Sequence, residues 1–238
     1  MTLHNNMDSD FIQACNMVDK EFSHEQLINM LESGDISQKQ LSALLLDTLN
    51  NKNDGKILIN NLTGCDGKIR EAVALKINRL LYEDSDIADF LNHPEIFADA
   101  TIDINANICR SVIDSVAILR KNEYFTRIYL NKIISFINEA FSEIDKFIYK
   151  DKKYVINKQL FKLYWCLESL KLFTDEIAED KLIDILKRAT EENEYTIREK
   201  VAQIVILKNS DKFNELKNKL INDENYYVKN VFKINAVN

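Results

Sequence analysis

The run IREAVALKI at residues 69–77 returns as IREKVAQIV at residues 197–205, 128 positions later. A shorter period lies inside that long one. Leu27, Ile28 and Leu31 are followed at an offset of 31 by Leu58, Ile59 and Leu62, and Asp35 is followed at the same offset by Asp66. The best copy, residues 58–81, reads as a helix, a corner and a second helix. Leu58, Ile59 and Leu62 stripe the first helix, Gly64 stops it, and Asp66 caps the second. Ile69, Ala72, Val73, Ile77 and Leu80 then recur at helical spacing. Neither helix can bury its stripe alone, so the units must stack.

Composition sets the class of the remainder. One proline and four glycines in 238 residues leave few places for hairpins, so the chain reads as all-helical. Residues 1–7 read as a loose tail, and Phe11, Ile12, Cys15 and Val18 mark an opening helix. Ser23 and Gln26 have capping-box spacing ahead of Leu27, Ile28 and Leu31. Asp35 opens a partner helix with Leu41, Leu45 and Leu49 inward, and Asp54 and Gly55 read as the corner before the best copy. Pro94 fits the first turn of a short helix after His93. Residues 103–107 form a corner before a stripe of Ile108, Val112, Val116 and Leu119. The longest helix spans about residues 125–149, and the helix after it carries Val155, Leu160, Leu163, Leu167 and Leu170. Two further pairs complete about six antiparallel pairs, with no linker, as a single domain over 1–238.

The net charge of −7 and the absence of a basic stripe speak against a duplex-binding surface. Cys15, Cys65, Cys109 and Cys166 are widely spaced, which suits neither a zinc site nor a disulfide scaffold. No metal or other cofactor is expected. MTLHNNMDSDF lacks the basic and apolar regions of a secretory leader, and no apolar run approaches about 18 residues. No membrane association and a cytoplasmic location are the expectation.

The pattern Leu-Ile-x-x-Leu, a corner, Asp, two residues, then Ile-Arg-x-x-Ala at Leu58 to Ala72 resembles the HEAT-repeat family. It is matched well at 182–202 and 216–229, loosely at 27–45, and poorly in the third and fourth units. The resemblance implies a right-handed α-solenoid, an armadillo-type array with the second helix of each pair on its concave side. It implies no reaction.

Few residues invite a chemical role. Asp35/Lys39, Asp66/Arg70 and Glu194/Arg198 stand at i,i+4, where the acid caps the helix and pairs with the base. The acidic runs at 83–86 and 175–180 read as solvated helix starts. His4, His24 and His93 have no partners at ligand spacing, and His24 and His93 read as solvated. No phosphate loop or nucleophile elbow occurs, so no catalytic residue is assigned. Projected onto the second helices, the groove positions are Gln40, Asp47, Glu71, Asn78, Tyr82, Arg110, Glu199 and Ile206. Phe161, Tyr164 and Trp165 flank the core face of Leu160, Leu163, Leu167 and Leu170, and aromatics beside a groove commonly anchor partners. The expectation is a non-catalytic scaffold or adaptor holding a protein or peptide, with no nucleic acid. Two alternatives share the architecture. One is a DNA-glycosylase-like enzyme using Trp165 with Asp114 or Glu168, and the other is a chromophore-lyase type of helper.

Overall fold

The computed structural model describes residues 20–147 and 153–235, and within them every regular element is helical. The expected tail, opening helix, His4 and Cys15 lie outside the described residues. The helices gather into two compact units, Met1–Thr126 and Arg127–Asn238.

In the first unit, α1 (His24–Ser33) starts at a full capping box. The Gln26 amide donates to Ser23 Oγ, and the Ser23 amide donates to Gln26 Oε1. Leu27, Ile28 and Leu31 are buried as expected. Asp35 builds a second capping box with Gln38 at the start of α2 (Ile36–Leu45). This helix is shorter than its stripe suggests. At Leu46 the backbone turns extended, which sends Leu46 and Leu49 into the core and leaves Leu45 39% exposed and Leu41 half-buried.

The corner expected at Asp54 and Gly55 lies earlier. Asn51 caps α3 (Lys52–Asn60), so both residues fall inside its first turn and are buried. Asp54 Oδ2 lies 2.8 Å from His24 Nε2 and accepts the Asn50 amide at 3.0 Å. His24 is therefore a tether between α1 and α3, since a buried carboxylate must find donors, and is not a solvated cap. A Cβ on Gly55 would sit 2.2 Å from the Phe90 carbonyl oxygen, so only glycine admits that approach. Gly64, at φ +144°, makes the turn into α4 (Gly67–Glu83), and Asp66 accepts the amides of Lys68 and Ile69. A 3₁₀ segment (Ser85–Leu91), α5 (Pro94–Thr101) and α6 (Ala106–Leu119) follow. Pro94 occupies the first turn, and Ile108, Val112, Val116 and Leu119 are buried. Helices α1 and α2, α3 and α4, and α5 and α6 pack as pairs. Helices α2, α4 and α6 lie side by side, as do α1, α3 and the 3₁₀ segment.

Helix α7 (Glu123–Phe147) begins in this unit, where Phe125 meets Phe97 edge-on at 5.6 Å. Its later residues belong to the second unit. There Tyr129 shares a buried 2.7 Å hydrogen bond with Ser169 of α8 (Lys153–Leu170). After a 3₁₀ turn (Lys171–Phe173) come α9 (Glu179–Thr190), α10 (Tyr195–Val205), a second turn (Asp211–Phe213), α11 (Asn214–Ile221) and α12 (Tyr226–Asn235). Helix α10 packs against α8, α9, α11 and α12. The core holds Ile133, Ile137, Leu163, Leu167, Leu182, Leu186 and Val201, each worth about 1.5–3 kcal/mol of burial.

The paired charges at the corners need a correction. Asp66 and Glu194 cap their helices as expected, but their arginines turn to the following corner. Arg70 reaches Asp103 through Nε at 2.6 Å and Nη2 at 3.2 Å, while Nη1 donates to the Gly64 carbonyl at 2.7 Å. Arg198 reaches Asp223 at 2.7 and 3.1 Å, while Nη1 donates to the Glu192 carbonyl at 2.9 Å. Lys39 turns likewise, to Asn61 Oδ1 at 3.2 Å. A planar guanidinium can bind a carboxylate with two parallel bonds, which an i,i+4 partner on its own helix does not offer as readily. Among the described residues no helix is long and apolar enough to cross a membrane.

Candidate functional site

The expected groove residues of the first unit lie on the solvent side of α2, α4 and α6. On α4 the exposed stripe comprises Lys68, Leu75, Arg79 and Tyr82, with Glu71 and Asn78 half-buried beside it. Tyr82 is 86% exposed, and Leu75, which was not among the expected groove residues, is 51% exposed. Glu71 accepts from Asn105 Nδ2 at 3.2 Å and Asn107 Nδ2 at 2.9 Å, and Asn78 reaches Ser115 at 3.5 Å. Arg110 is exposed and meets Asn107, Gln40 is half-buried, and Asp47 lies beyond the end of α2. Asp47 lines an open hollow of about 520 Å³ together with His24 and Leu27 of α1 and Leu45 of α2.

The second unit holds a site lined by aromatic side chains. Asn157, Leu160, Phe161, Tyr164 and Trp165 of α8, with Glu194 and Thr196 at the start of α10, line an open pocket of about 390 Å³. The local fold explains the cluster. Apolar residues run almost around α8, so Leu163, Leu167 and Leu170 fill the core while Phe161 stays 37% exposed and Tyr164 and Leu160 half-buried. Trp165 is only 6% exposed and forms the base, edge-on to Tyr164 at 5.1 Å and to Phe161 at 6.2 Å. Its Nε1 is buried with no hydrogen-bond partner among the described residues. Trp165 is thus as much core as wall.

Charges beneath the pocket are tightly paired. Glu168 lies 2.6 Å from Lys171 and 2.5 Å from Lys200, and Lys200 also stands 4.7 Å from the centroid of the Tyr164 ring. Burial pushes the Glu168 carboxyl up, but the two ammonium groups outweigh it and hold it below its ordinary value. Burial likewise opposes the charged form of Lys200, and Glu168 overcomes it, so the lysine is held above its ordinary value. Gln203 accepts from both lysines and donates to Glu199. Glu168 is therefore occupied as a structural acceptor, and Asp114 is an exposed residue of α6 in the other unit.

Glu194 behaves differently. Its Oε1 caps α10 through the Thr196 amide and hydroxyl, and Oε2 has no protein partner among the described residues. Next to it Tyr195 stacks on Tyr227 at 5.7 Å, and Tyr227 meets Tyr226 edge-on. Of the expected groove residues, Glu199 of α10 and Ile206 at its C-cap are half-buried and line no part of this pocket, whereas Asn157, Glu194, Thr196 and the tyrosines were not among those expected. The available signal was an aromatic at the first position after a corner, present at both Tyr195 and Tyr226.

Cys109 and Cys166 are buried and Cys65 is exposed. The Cys109 thiol donates to the Asp103 carbonyl, and burial raises its pKa to about 12, which makes it inert.

No family model and no curated protein matches the chain. Among solved structures it is similar to a crystal structure of an engineered protein, with a TM-score of 0.53 and 12% identity over 90% of this chain and 96% of that one. A second engineered protein aligns at a TM-score of 0.46 and 10% identity, over 90% and 94%. At such identity the first likeness is one of fold alone.

Proposed function

We propose that the chain is a HEAT-like repeat protein, a right-handed solenoid of antiparallel helix pairs, that binds a peptide segment of another protein without catalysis. The side-by-side packing of α2, α4 and α6, and of α8, α10 and α12, supports the repeat architecture. The observation that carries the binding function is the open, aromatic-lined pocket on α8. Phe161 and Tyr164 present ring surface at its wall, backed by the rigid Trp165 base. Rings held by their neighbours lose little entropy on binding, which is why such residues anchor interfaces.

Panning the full chain against displayed random peptides of about 12 residues tests this. Enriched peptides should bind at micromolar concentration and lose about tenfold or more in affinity to Phe161→Ala, whose half-open ring can be removed with little loss of fold. No enrichment, or binding indifferent to Phe161, would overturn the reading.

A further inference from the structure

We propose that the pocket between α8 and the start of α10 is selective for an arginine side chain of the bound peptide. This rests on the peptide-binding reading above and names the chemistry that the site favours. Among the described residues the lining carries one charged side chain, Glu194, and no base. Three cations of α10 and the 3₁₀ turn that follows α8 are already engaged. Arg198 is clasped by Asp223, and Lys171 and Lys200 are held by Glu168. Arg198 senses Glu194 only at longer range. Glu194 thus keeps an unshared oxygen at the rim of an aromatic and aliphatic wall.

The same ring cluster shows what it accepts, because Lys200 Nζ already stands over one of its rings, that of Tyr164. Aromatic faces attract cations, and a guanidinium suits the pocket best. It can lie flat on the exposed Phe161 ring while its stem covers Leu160, and one N–H edge can donate to Glu194. An acidic side chain would meet like charge at Glu194. A purely apolar one would bury that carboxylate oxygen without a donor, which is costly.

The test uses peptides enriched by panning on the full chain, each resynthesised with citrulline, neutral and of the same shape, in place of arginine. Arginine should be enriched, citrulline should weaken binding about tenfold, and Glu194→Gln should weaken the arginine peptide equally while leaving the citrulline peptide unchanged. The substituted amide would keep a capping oxygen for Thr196, so helicity should be retained. Glu32→Gln, an exposed change on α1, serves as the control for net charge. Enriched peptides that depend on Phe161 but lack arginine, or that bind Glu194→Gln unchanged, would overturn the arginine assignment and leave peptide binding standing. A failure to enrich any peptide would overturn both.

Discussion

Arg70 and Arg198 occupy the same place in IREAVALKI and IREKVAQIV, and each joins its corner to the next through a bidentate carboxylate bond. Little of either guanidinium is accessible, yet both lie close to the surface, so each clasp contributes in the range of about 1–3 kcal/mol. The two runs differ at Lys76, which aligns with the buried Ile204. Lys76 is 4% exposed, and burial, aided by Arg79, lowers its pKa. A lysine lowered on folding costs stability while it stays protonated, and the cost fades as pH rises towards the ordinary lysine value. Lys76→Met should therefore raise stability at pH 7 by up to about 1 kcal/mol, discounted for an ammonium that still lies near water. Urea titrations at about pH 7 and above about pH 10 check this, and the gain should shrink at the higher pH. The sequence showed an arginine beside an acid four residues earlier. It could not show that the guanidinium turns forward, because that choice depends on where the next corner lies in space.

At the scale of elements, helix identity was legible and boundaries were less so. The caps at Ser23, Asp35 and Asp66 and the proline start of α5 were all readable from local chemistry, whereas the expected stop at Gly64 falls in the turn beyond the helix, which already ends at Asn60 with Asn61 as its cap. The end of α2 was not, since LSALLLDTLN has no breaker and Leu46 leaves the helix to reach the core. Gly55 misled in the opposite direction. It looked like a corner residue and instead lets the Phe90 backbone approach α3. Gly55→Ala should cost about 1–3 kcal/mol by forcing α3 and the 3₁₀ segment apart, although alanine is the better helix former. Thermal melting of that variant settles the point, and a raised midpoint would show that the approach is not tight. The pocket was legible in part. An apolar periphery on α8 flagged Phe161, Tyr164 and Trp165, but Glu194 and Thr196 join them only through packing of α10 on α8.

For the whole molecule, the single tryptophan offers a direct probe. Trp165 is only 6% exposed, so native emission should be blue-shifted relative to free indole and move red on unfolding. Trp165→Ala should lower stability by about 3–5 kcal/mol in addition to removing the base of the pocket, so binding loss in that variant cannot be read alone. A red-shifted native spectrum would contradict the described packing. The corner clasps carry a broader consequence. Arg70 finds its aspartate 33 residues ahead, Arg198 finds one 25 ahead, and Lys39 meets its asparagine 22 ahead. What the joint fixes is a meeting in space, and the length of chain between the partners is free to drift. Insertions and deletions between corners can therefore accumulate without unfastening adjacent modules, which leaves a chain with constant joints and an uneven period.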